Sequence, residues 1–283
     1  MANKNTSAAT QIDAALAAHR HDGSDANFDL LGFDPTSKPL SSGDKGDDRT
    51  QIEAIADELD VLQNLFYADR RRSLLVILQG TDTSGKDGTV RKVFGRMSPL
   101  GVHTVGWRAP TPEERGHDFL WRIHRQMPEA GHTMIFNRSH YEDVLVPVVE
   151  GQINAVTRRQ RYAQINDFER LLSENATVIL KFLLLISKAE QGERLRARLD
   201  DPTKRWKFEA SDLTTRQRWT EYQAAYQAAI RATGTPWAPW TVVPADSKTH
   251  RNLMVGLAVR QTLQALDLRY PPDDPALEAA RVE

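Results

Sequence analysis

The stretch SLLVILQGTDTSGKDGT, residues 73–89, joins an apolar run to a short loop rich in glycine and hydroxyl side chains. The apolar run is typical of a buried strand, and Gly80 to Lys86 fits the pattern G-x-x-x-x-G-K. Glycines let backbone N–H groups converge on phosphate oxygens, while the start of the following helix and the lysine add positive charge. The stretch therefore predicts a phosphate-binding loop made of Gly80, Thr83, Ser84, Gly85, Lys86, Asp87, Gly88 and Thr89.

Two aspartates make this loop unusual. Asp87 stands where Ser or Thr ordinarily holds Mg²⁺, and Asp82 lies inside the loop itself. A carboxylate beside phosphates is tolerable when a cation lies between them, so we predict that Asp82 is a metal ligand. Asp87 fits better as an acid in the first turn of a helix, where the helix dipole favours negative charge.

Apolar runs and helical patterns alternate along the rest of the chain. Besides residues 73–79, strands are predicted at 102–107, 132–137, 177–186 and 240–245, and helices at 51–70, 111–126, 158–172, 188–199, 215–232 and 248–266. Continuous apolar strands separated by long helices are typical of a parallel sheet covered on both faces. The predicted fold is therefore α/β, with a parallel five-stranded sheet between layers of helices.

Composition excludes several classes of protein. The 283 residues include no cysteine, which excludes disulfides and thiolate metal sites. No apolar run approaches the roughly 18 residues needed to cross a bilayer, and no basic segment leads into an apolar one near the start, so we expect a cytoplasmic protein without a membrane partner. The net charge of −1 predicts no polyanion partner, yet residues 86–125 hold eight Lys or Arg against four Asp or Glu.

The chain is expected to contain one compact domain with two flanking segments. Residues 1–48 hold few large apolar side chains and are predicted to form an extended or partly disordered arm. Residues 49–270 are predicted to form the domain, which opens with an amphipathic helix whose apolar stripe runs from Ile52 to Leu65. Residues 271–283, with several prolines, are predicted to be a tail.

The segment IFNRSHYEDVLV, residues 135–146, follows the third predicted strand. In doubly wound sheets ligands lie beyond the carboxyl ends of the strands, so Asn137, Arg138, Tyr141, Glu142 and Asp143 should lie close to the phosphate loop. Arg138 is well placed to neutralise charge on a transferred phosphoryl group. The alternative is a structural arginine that pairs with Glu142 or Asp143.

A basic segment follows the fourth predicted strand. Arg194 and Arg198 lie four residues apart on a predicted helix, and Lys204, Arg205, Trp206 and Lys207 come after its end. Residues 188–213 could form a helical lid that closes over a polyphosphorylated ligand and excludes water. The alternative is a solvated, charged helix.

Four long motifs occur in the order found in a known family. GTDTSGKDGT (80–89), APTPEERGHDFLWRIHRQMP (109–128), FNRSHYEDVLV (136–146) and EQGERLRARLDDPTKRWKF (190–208) together resemble the polyphosphate kinase 2 family over residues 50–270. The resemblance implies a P-loop kinase fold related to thymidylate kinases, which transfers a phosphoryl group between inorganic polyphosphate and a nucleotide with Mg²⁺ and a helical lid. It further implies that Asp82 binds Mg²⁺, that Lys86 binds phosphate, that Arg138 and Arg198 line the polyphosphate path, and that residues 204–208 form the lid motif.

One position departs from many family members. They carry Asp where this chain has Asn137, so the resemblance implies that Glu142 replaces the missing metal-binding carboxylate. Asn137 with Glu142 is similar to the subgroup often called class III, whose members phosphorylate both AMP and ADP. The resemblance thus implies an enzyme that converts AMP to ADP and ATP with Mg²⁺, for which Mn²⁺ could substitute, and that assembles as a homo-oligomer.

Two other functions stay open from the sequence. An ATP-dependent nucleoside or nucleotide kinase could use the same fold and the same loop. A non-catalytic polyanion-binding or nucleic-acid-binding protein could use the basic stretch between Arg91 and Arg125. Against nucleic acid, this stretch does not interleave aromatic residues with Lys and Arg as a single-strand platform would.

Overall fold

Six strands form one sheet in the computed structural model, which describes residues 2–275. The strands are β1 (Arg20–His21), β2 (Ser73–Gln79), β3 (Val102–Gly106), β4 (Thr133–Asn137), β5 (Thr177–Leu185) and β6 (Trp240–Pro244). Their order across the sheet is β1-β6-β5-β2-β4-β3. The five predicted strands are confirmed and run parallel to one another.

The prediction of a five-stranded sheet is wrong, because a sixth strand, β1, lies at one edge of the sheet. β1 pairs antiparallel with β6 through Arg20 opposite Thr241 and His21 opposite Trp240. A strand of two residues is too short for any alternation of apolar and polar residues, so no sequence pattern marks it.

Helices cover both faces of the sheet, as predicted. They are α1 (Ala2–Ala18), α2 (Lys45–Asp69), α3 (Lys86–Thr89), α4 (Pro112–Arg115), α5 (Trp121–His124), α6 (Glu142–Val149), α7 (Ala155–Glu174), α8 (Lys188–Asp200), α9 (Ala210–Gln217), α10 (Trp219–Thr233) and α11 (Lys248–Gln264). Alternate residues of β2 separate the two layers: Leu74, Val76 and Leu78 pack with α2 and α11. Leu75 and Ile77 pack with α6, α7 and α10.

The N-terminal segment differs from the predicted arm. Residues 2–18 form α1, and Phe28 and Leu30 are buried in the core cluster that contains β2. α2 begins at Lys45, where Asp44 caps its first N–H groups, so the predicted boundary at residue 48 falls inside a helix. The segment has few large apolar residues, and Leu16, Phe28 and Leu30 among them are buried in the core. Of the predicted tail, residues 276–283 lie outside the described part of the chain.

Residues 111–126, predicted as one helix, form two short ones. Thr111 and Glu114 form a capping box at the start of α4, which ends at Arg115 with Gly116 as its C-cap. Asp118 then accepts a hydrogen bond from the Leu120 N–H (2.9 Å), and α5 starts at Trp121. An aspartate that bonds two residues ahead makes a turn and interrupts the helix, although the apolar spacing continues through the break.

The apolar stripe of α2 packs against the core of the same chain. Ile52, Ile55 and Leu59 are buried in the cluster that α11 completes. The stripe is therefore no argument for a homo-oligomer, which stays a prediction. Within residues 2–275, no helix is both long and apolar enough to cross a membrane.

The sheet register places the functional segments side by side. Leu78 of β2 lies opposite Asn137 of β4, and Gly106 of β3 lies opposite the same Asn137. The loop after β2 and the segment after β4 therefore emerge from adjacent carboxyl ends of the sheet, where α/β proteins bind their ligands.

Candidate active site

The loop after β2 has the backbone that its glycines predict. Gly80 and Gly85 have φ values of +148° and +105°, and Thr83 has a φ of +66°. A Cβ on Gly80 would lie 2.7 Å from the carbonyl oxygen of Leu184, so position 80 has no room for a side chain. The hydroxyls of Thr83 and Ser84 are buried, and neither has a hydrogen-bond partner within residues 2–275. Buried hydroxyls without partners fit a site that a polar ligand completes.

Lys86 folds back over this loop. Its Nζ donates to the carbonyl oxygens of Gly80 (2.7 Å) and Thr81 (3.2 Å), and the residue is 7% exposed. Burial, and then the positive charge of Arg138, lower the pKa of Lys86 to about 8. A desolvated ammonium group at the mouth of a glycine loop is well suited to bind an anion.

Arg138 joins the two predicted metal ligands. Its guanidinium lies 2.5 Å from Asp82 Oδ1 and 3.3 Å from Glu142 Oε2. Glu142 and Asp82 together raise the pKa of Arg138 even though burial opposes them. Arg138 has a φ of +67°, so the backbone turns sharply where β4 ends and directs this side chain towards the loop. The pairing with Glu142 agrees with the alternative considered from the sequence, but the bond to Asp82 also ties the arginine to the loop.

Asp87 contacts both β4 and the predicted lid, residues 188–213. Asn137 Nδ2 donates to Asp87 Oδ1 (2.7 Å), and Lys207 Nζ donates to Asp87 Oδ2 (3.3 Å). Burial would raise the pKa of Asp87, but these hydrogen bonds and the charges of Lys207 and Lys86 lower it. Asp87 is thus more than an acid in a first helical turn: it is where the lid meets the start of α3.

The remaining lid residues lie further from the loop. Arg198 donates to the carbonyl oxygen of Lys207 (3.2 Å), which links α8 to the turn Arg205–Lys207. Lys204 pairs with Asp201 (2.5 Å), and Arg205 donates to the carbonyl oxygen of Leu199 (2.7 Å). Trp206 is 77% exposed. Of Lys204, Arg205, Trp206 and Lys207, only Lys207 forms a hydrogen bond or ion pair with the loop within residues 2–275.

Tyr141 is a core residue, which corrects its assignment to the nucleotide site. It is fully buried, its hydroxyl donates to Glu169 Oε1 (2.8 Å), and Lys181 Nζ donates to that hydroxyl (2.9 Å). Burial raises the pKa of Tyr141 well above its usual value. The residue follows Arg138 by three positions, but Arg138 contacts Asp82 and Glu142 at the loop, whereas the Tyr141 hydroxyl contacts Glu169 and Lys181 in the core.

A cavity of about 390 Å³ opens beside the end of β3, between that strand and the short helices α4 and α5. Its lining includes Trp107, Arg108, Trp121, Arg122 and Arg125. The Arg122 and Arg125 guanidiniums lie over the rings of Trp107 and Trp121, at 5.1 and 4.7 Å. In the sequence, the excess of Lys and Arg between residues 86 and 125 indicated a basic region here. It could not show that Arg108, Arg122 and Arg125 line one cavity.

The two carboxylates at this site are too few to hold a metal ion by protein ligands alone, but they suit a magnesium ion whose other ligands are water and phosphate. Asp82 and Glu142 provide two carboxylates facing one guanidinium, and no group of three or more His, Cys, Asp or Glu in metal-binding proximity occurs within residues 2–275. Mg²⁺ commonly takes one or two carboxylates and completes its octahedron with water and substrate phosphates. The donor set therefore fits Mg²⁺ shared with a phosphate ligand.

Known proteins resemble this chain over most of its length. The sequence profile of Polyphosphate kinase 2 (PPK2) matches residues 42–272. An AMP/ADP-polyphosphate phosphotransferase of Meiothermus ruber is 45% identical over 92% of this chain and 97% of its own length. An ADP-polyphosphate phosphotransferase of Rhodopseudomonas palustris is 40% identical over 81% and 82%. The crystal structure of a polyphosphate kinase 2 from Arthrobacter aurescens TC1 superposes with a TM-score of 0.88 at 43% identity, covering 93% of this chain and 94% of that one.

Proposed function

The chain belongs to the polyphosphate kinase 2 family and is a polyphosphate-dependent nucleotide phosphotransferase, and from this premise we propose that it phosphorylates both AMP and ADP. The similarity to a protein named for both acceptors, over 97% of that protein's length, supports the double specificity. Asn137 with Glu142, in place of an aspartate at the end of β4, supports the same subgroup. The observation that carries the phosphoryl-transfer chemistry is the contact between Arg138 and Asp82 at the mouth of the phosphate loop (2.5 Å).

We propose that polyphosphate is held between the loop and the lid. The loop residues Gly80 to Thr89 and the Lys86 ammonium bind phosphate oxygens, and Arg138 and Arg198 line the path of the chain. Lys207 already bridges from the lid to Asp87 (3.3 Å), so closure of residues 188–213 would bring further positive charge over the ligand and exclude water. Lys204, Arg205 and Trp206 are then surface residues of the lid that contact the more distant part of a long polymer.

We propose the cavity beside β3 as the acceptor site. Its volume is in the range of small-ligand pockets, and its tryptophan and arginine side chains suit a flat base and a phosphate group. It opens at the carboxyl end of β3, next to β4, from which Asn137, Arg138 and Glu142 emerge. A nucleotide there could present its terminal phosphate towards Arg138.

We propose that Asp82 and Glu142 hold Mg²⁺, with Mn²⁺ as a possible replacement. When bound, the ion neutralises phosphate oxygens and aligns donor and acceptor. Since Arg138 now bonds both carboxylates, it would leave at least one of them as the ion binds and turn to the phosphate chain.

The protein's part in the reaction is mainly positioning and charge neutralisation. An oxygen of the acceptor's terminal phosphate attacks the terminal phosphorus of polyphosphate; one P–O bond forms and the bond to the rest of the chain breaks. The acceptor oxygen is already ionised, so no strong general base is needed, and Lys86 and Arg138 balance the charge spread over the transferred group.

The test is whether the protein forms ATP in a reaction to which no ATP has been added. The protein is incubated with ADP, Mg²⁺ and polyphosphate, or with AMP in place of ADP, and nucleotides are separated by chromatography. ATP should appear from ADP, and ADP followed by ATP from AMP; omission of Mg²⁺ should stop both. The matched control is Lys86→Met. Phosphorylation of AMP only when ATP is supplied would point to an ATP-dependent kinase, and binding without turnover to a polyanion-binding protein.

A further inference from the structure

A buried arginine lies directly behind the phosphate loop. Arg251, in the first turn of α11, is 3% exposed. Its NH1 donates to the carbonyl oxygen of Ser84 (3.1 Å), and its Nε and NH2 donate to Asn252 Oδ1 (3.1 and 2.9 Å). The same Asn252 oxygen accepts a hydrogen bond from the Thr89 hydroxyl (3.2 Å). Arg251 and Asn252 thus connect α11 to the middle and to the last residue of the segment that should bind phosphate.

The glycine at position 85 makes room for this guanidinium. A Cβ on Gly85 would lie 1.8 Å from Arg251 NH1 and 2.5 Å from its Cζ, and a Cβ on Gly88 would lie 3.1 Å from NH2. Gly85 is therefore required twice: for its φ of +105° and for the close approach of a cation. The hydrogen bonds within the loop do not by themselves require a glycine at position 85 for the approach of Arg251.

A second arginine reaches the same carbonyl from the lid helix. Arg194 NH1 donates to the carbonyl oxygens of Thr83 (2.9 Å) and Ser84 (3.1 Å), and its NH2 donates to those of Ala245 (2.7 Å) and Asp246 (2.8 Å). In a trans peptide the C=O and the following N–H point in opposite directions. Both arginines hold the Ser84 carbonyl, so the next N–H, that of Gly85, faces away from them, towards the ligand side. The N–H after the Thr83 carbonyl, that of Ser84, instead donates to the Thr81 carbonyl oxygen (3.1 Å).

Only one of the two arginines behind the loop is paired with an acid in the described part of the chain. Arg194 pairs with Glu190 (2.6 Å), but Arg251 has no ion pair with any carboxylate within residues 2–275. Burial, followed by the charge of Arg194, lowers the pKa of Arg251 to about 9. A buried cation without a counter-ion is costly, and an anion on the other side of the loop relieves that cost.

We propose that Arg251, assisted by Arg194, is a positioning residue that orients the Gly85 N–H of the phosphate loop and supplies the unbalanced positive charge that a polyphosphate chain neutralises. The proposal rests on the proposed function only in that the loop binds linked phosphates. It adds residues from α11 and from the buried face of α8 to a site otherwise formed by the ends of β2 and β4.

The test is binding of inorganic tripolyphosphate, measured by isothermal titration calorimetry and by the shift in melting temperature. Arg251→Gln keeps hydrogen-bond donors but removes the charge; Arg251→Lys keeps the charge. Arg260→Gln is the matched control, since Arg260 lies on the same helix and pairs with Glu58 (3.1 Å), away from the loop. We expect Arg251→Gln to weaken binding by about tenfold or more, Arg251→Lys to recover most of this, and Arg260→Gln to bind normally.

The melting temperature of the unliganded protein shows whether Arg251 acts on ligand binding or only stabilises the fold. Removing an unbalanced buried charge should leave the free protein nearly as stable as before while the tripolyphosphate-induced shift is lost. Unchanged binding in Arg251→Gln would overturn the proposal, as would equal loss of binding and of unliganded stability in both variants. If the unmodified protein binds tripolyphosphate but forms no ATP from ADP and polyphosphate, the proposed function fails and the role of Arg251 stands.

Discussion

Replacing Lys181 with methionine tests the buried charge cluster behind the segment that carries Arg138. Lys181 Nζ donates to Glu169 Oε2 (2.6 Å), to the Tyr141 hydroxyl (2.9 Å) and to the carbonyl oxygen of Thr233 (2.8 Å). Both charged side chains are 0% exposed. Methionine keeps much of the volume but leaves the Glu169 carboxylate buried without its cation.

The expected loss follows from that geometry. Removing one partner of a fully buried, hydrogen-bonded ion pair typically costs about 3 to 5 kcal/mol of unfolding free energy. Burial would raise the pKa of Glu169, but Lys181 and His140 overcome it and hold the pKa below the usual 4.5. In the folded protein this carboxylate contributes stability above pH 4.5 that is lost as pH falls through its lowered pKa. In Lys181→Met the orphaned carboxyl should protonate more readily, so the deficit should shrink in acid.

Urea unfolding followed by circular dichroism measures the effect. The double variant Lys181→Met with Glu169→Leu removes both charges and should recover most of the loss. The control is Arg170→Met on α7, the helix that carries Glu169. Arg170 pairs with Asp167 at 3.0 Å, but the two side chains are 51% and 70% exposed. Loss of this exposed pair should cost less than about 0.5 kcal/mol of unfolding free energy. A loss below about 1 kcal/mol in Lys181→Met, or a double variant no better than the single one, would refute the reasoning.

Four further substitutions address the site. Asp82→Asn and Lys86→Met should each lower turnover by about a hundredfold or more with the circular dichroism spectrum unchanged; near-normal rates would remove the roles proposed for them. Gly85→Ala should abolish tripolyphosphate binding, because the new Cβ would lie 1.8 Å from Arg251 NH1, and calorimetry showing normal affinity would contradict this contact. Tyr141→Phe should leave the KM for ADP within about twofold of normal while costing about 1 kcal/mol of stability, since the hydroxyl bonds Glu169 inside the core; a large change in KM would restore Tyr141 to the nucleotide site.

Local sequence predicted the phosphate loop and the strands well. The residues from Ser73 to Thr89 are contiguous, and the glycines that allow positive φ stand within the motif itself. Parallel strands buried on both faces read as apolar runs whatever their neighbours are, and this placed β2, β4, β5 and β6. The fifth predicted strand, β3, lies at the edge of the sheet and is largely exposed. The two-residue β1 and the break between α4 and α5 carry no such signal.

Contacts between distant segments were outside the reach of sequence patterns. Arg251 bonds the carbonyl of Ser84 although the two residues are 167 positions apart. Tyr141, three residues from Arg138, resembled a site residue because of its position, yet its ring lies in the core. Whether a side chain near a strand end faces the ligand or the interior depends on the backbone turn and on the helices packed against it.

The sequence by itself determined that this chain carries a glycine loop of the phosphate-binding type after β2, because backbone conformation in a tight loop depends on the residues within it. Only the tertiary structure decided which charges complete the loop. Buried cations from α8 and α11 reach it because two helices pack against one end of the sheet, and that packing depends on the whole hydrophobic core.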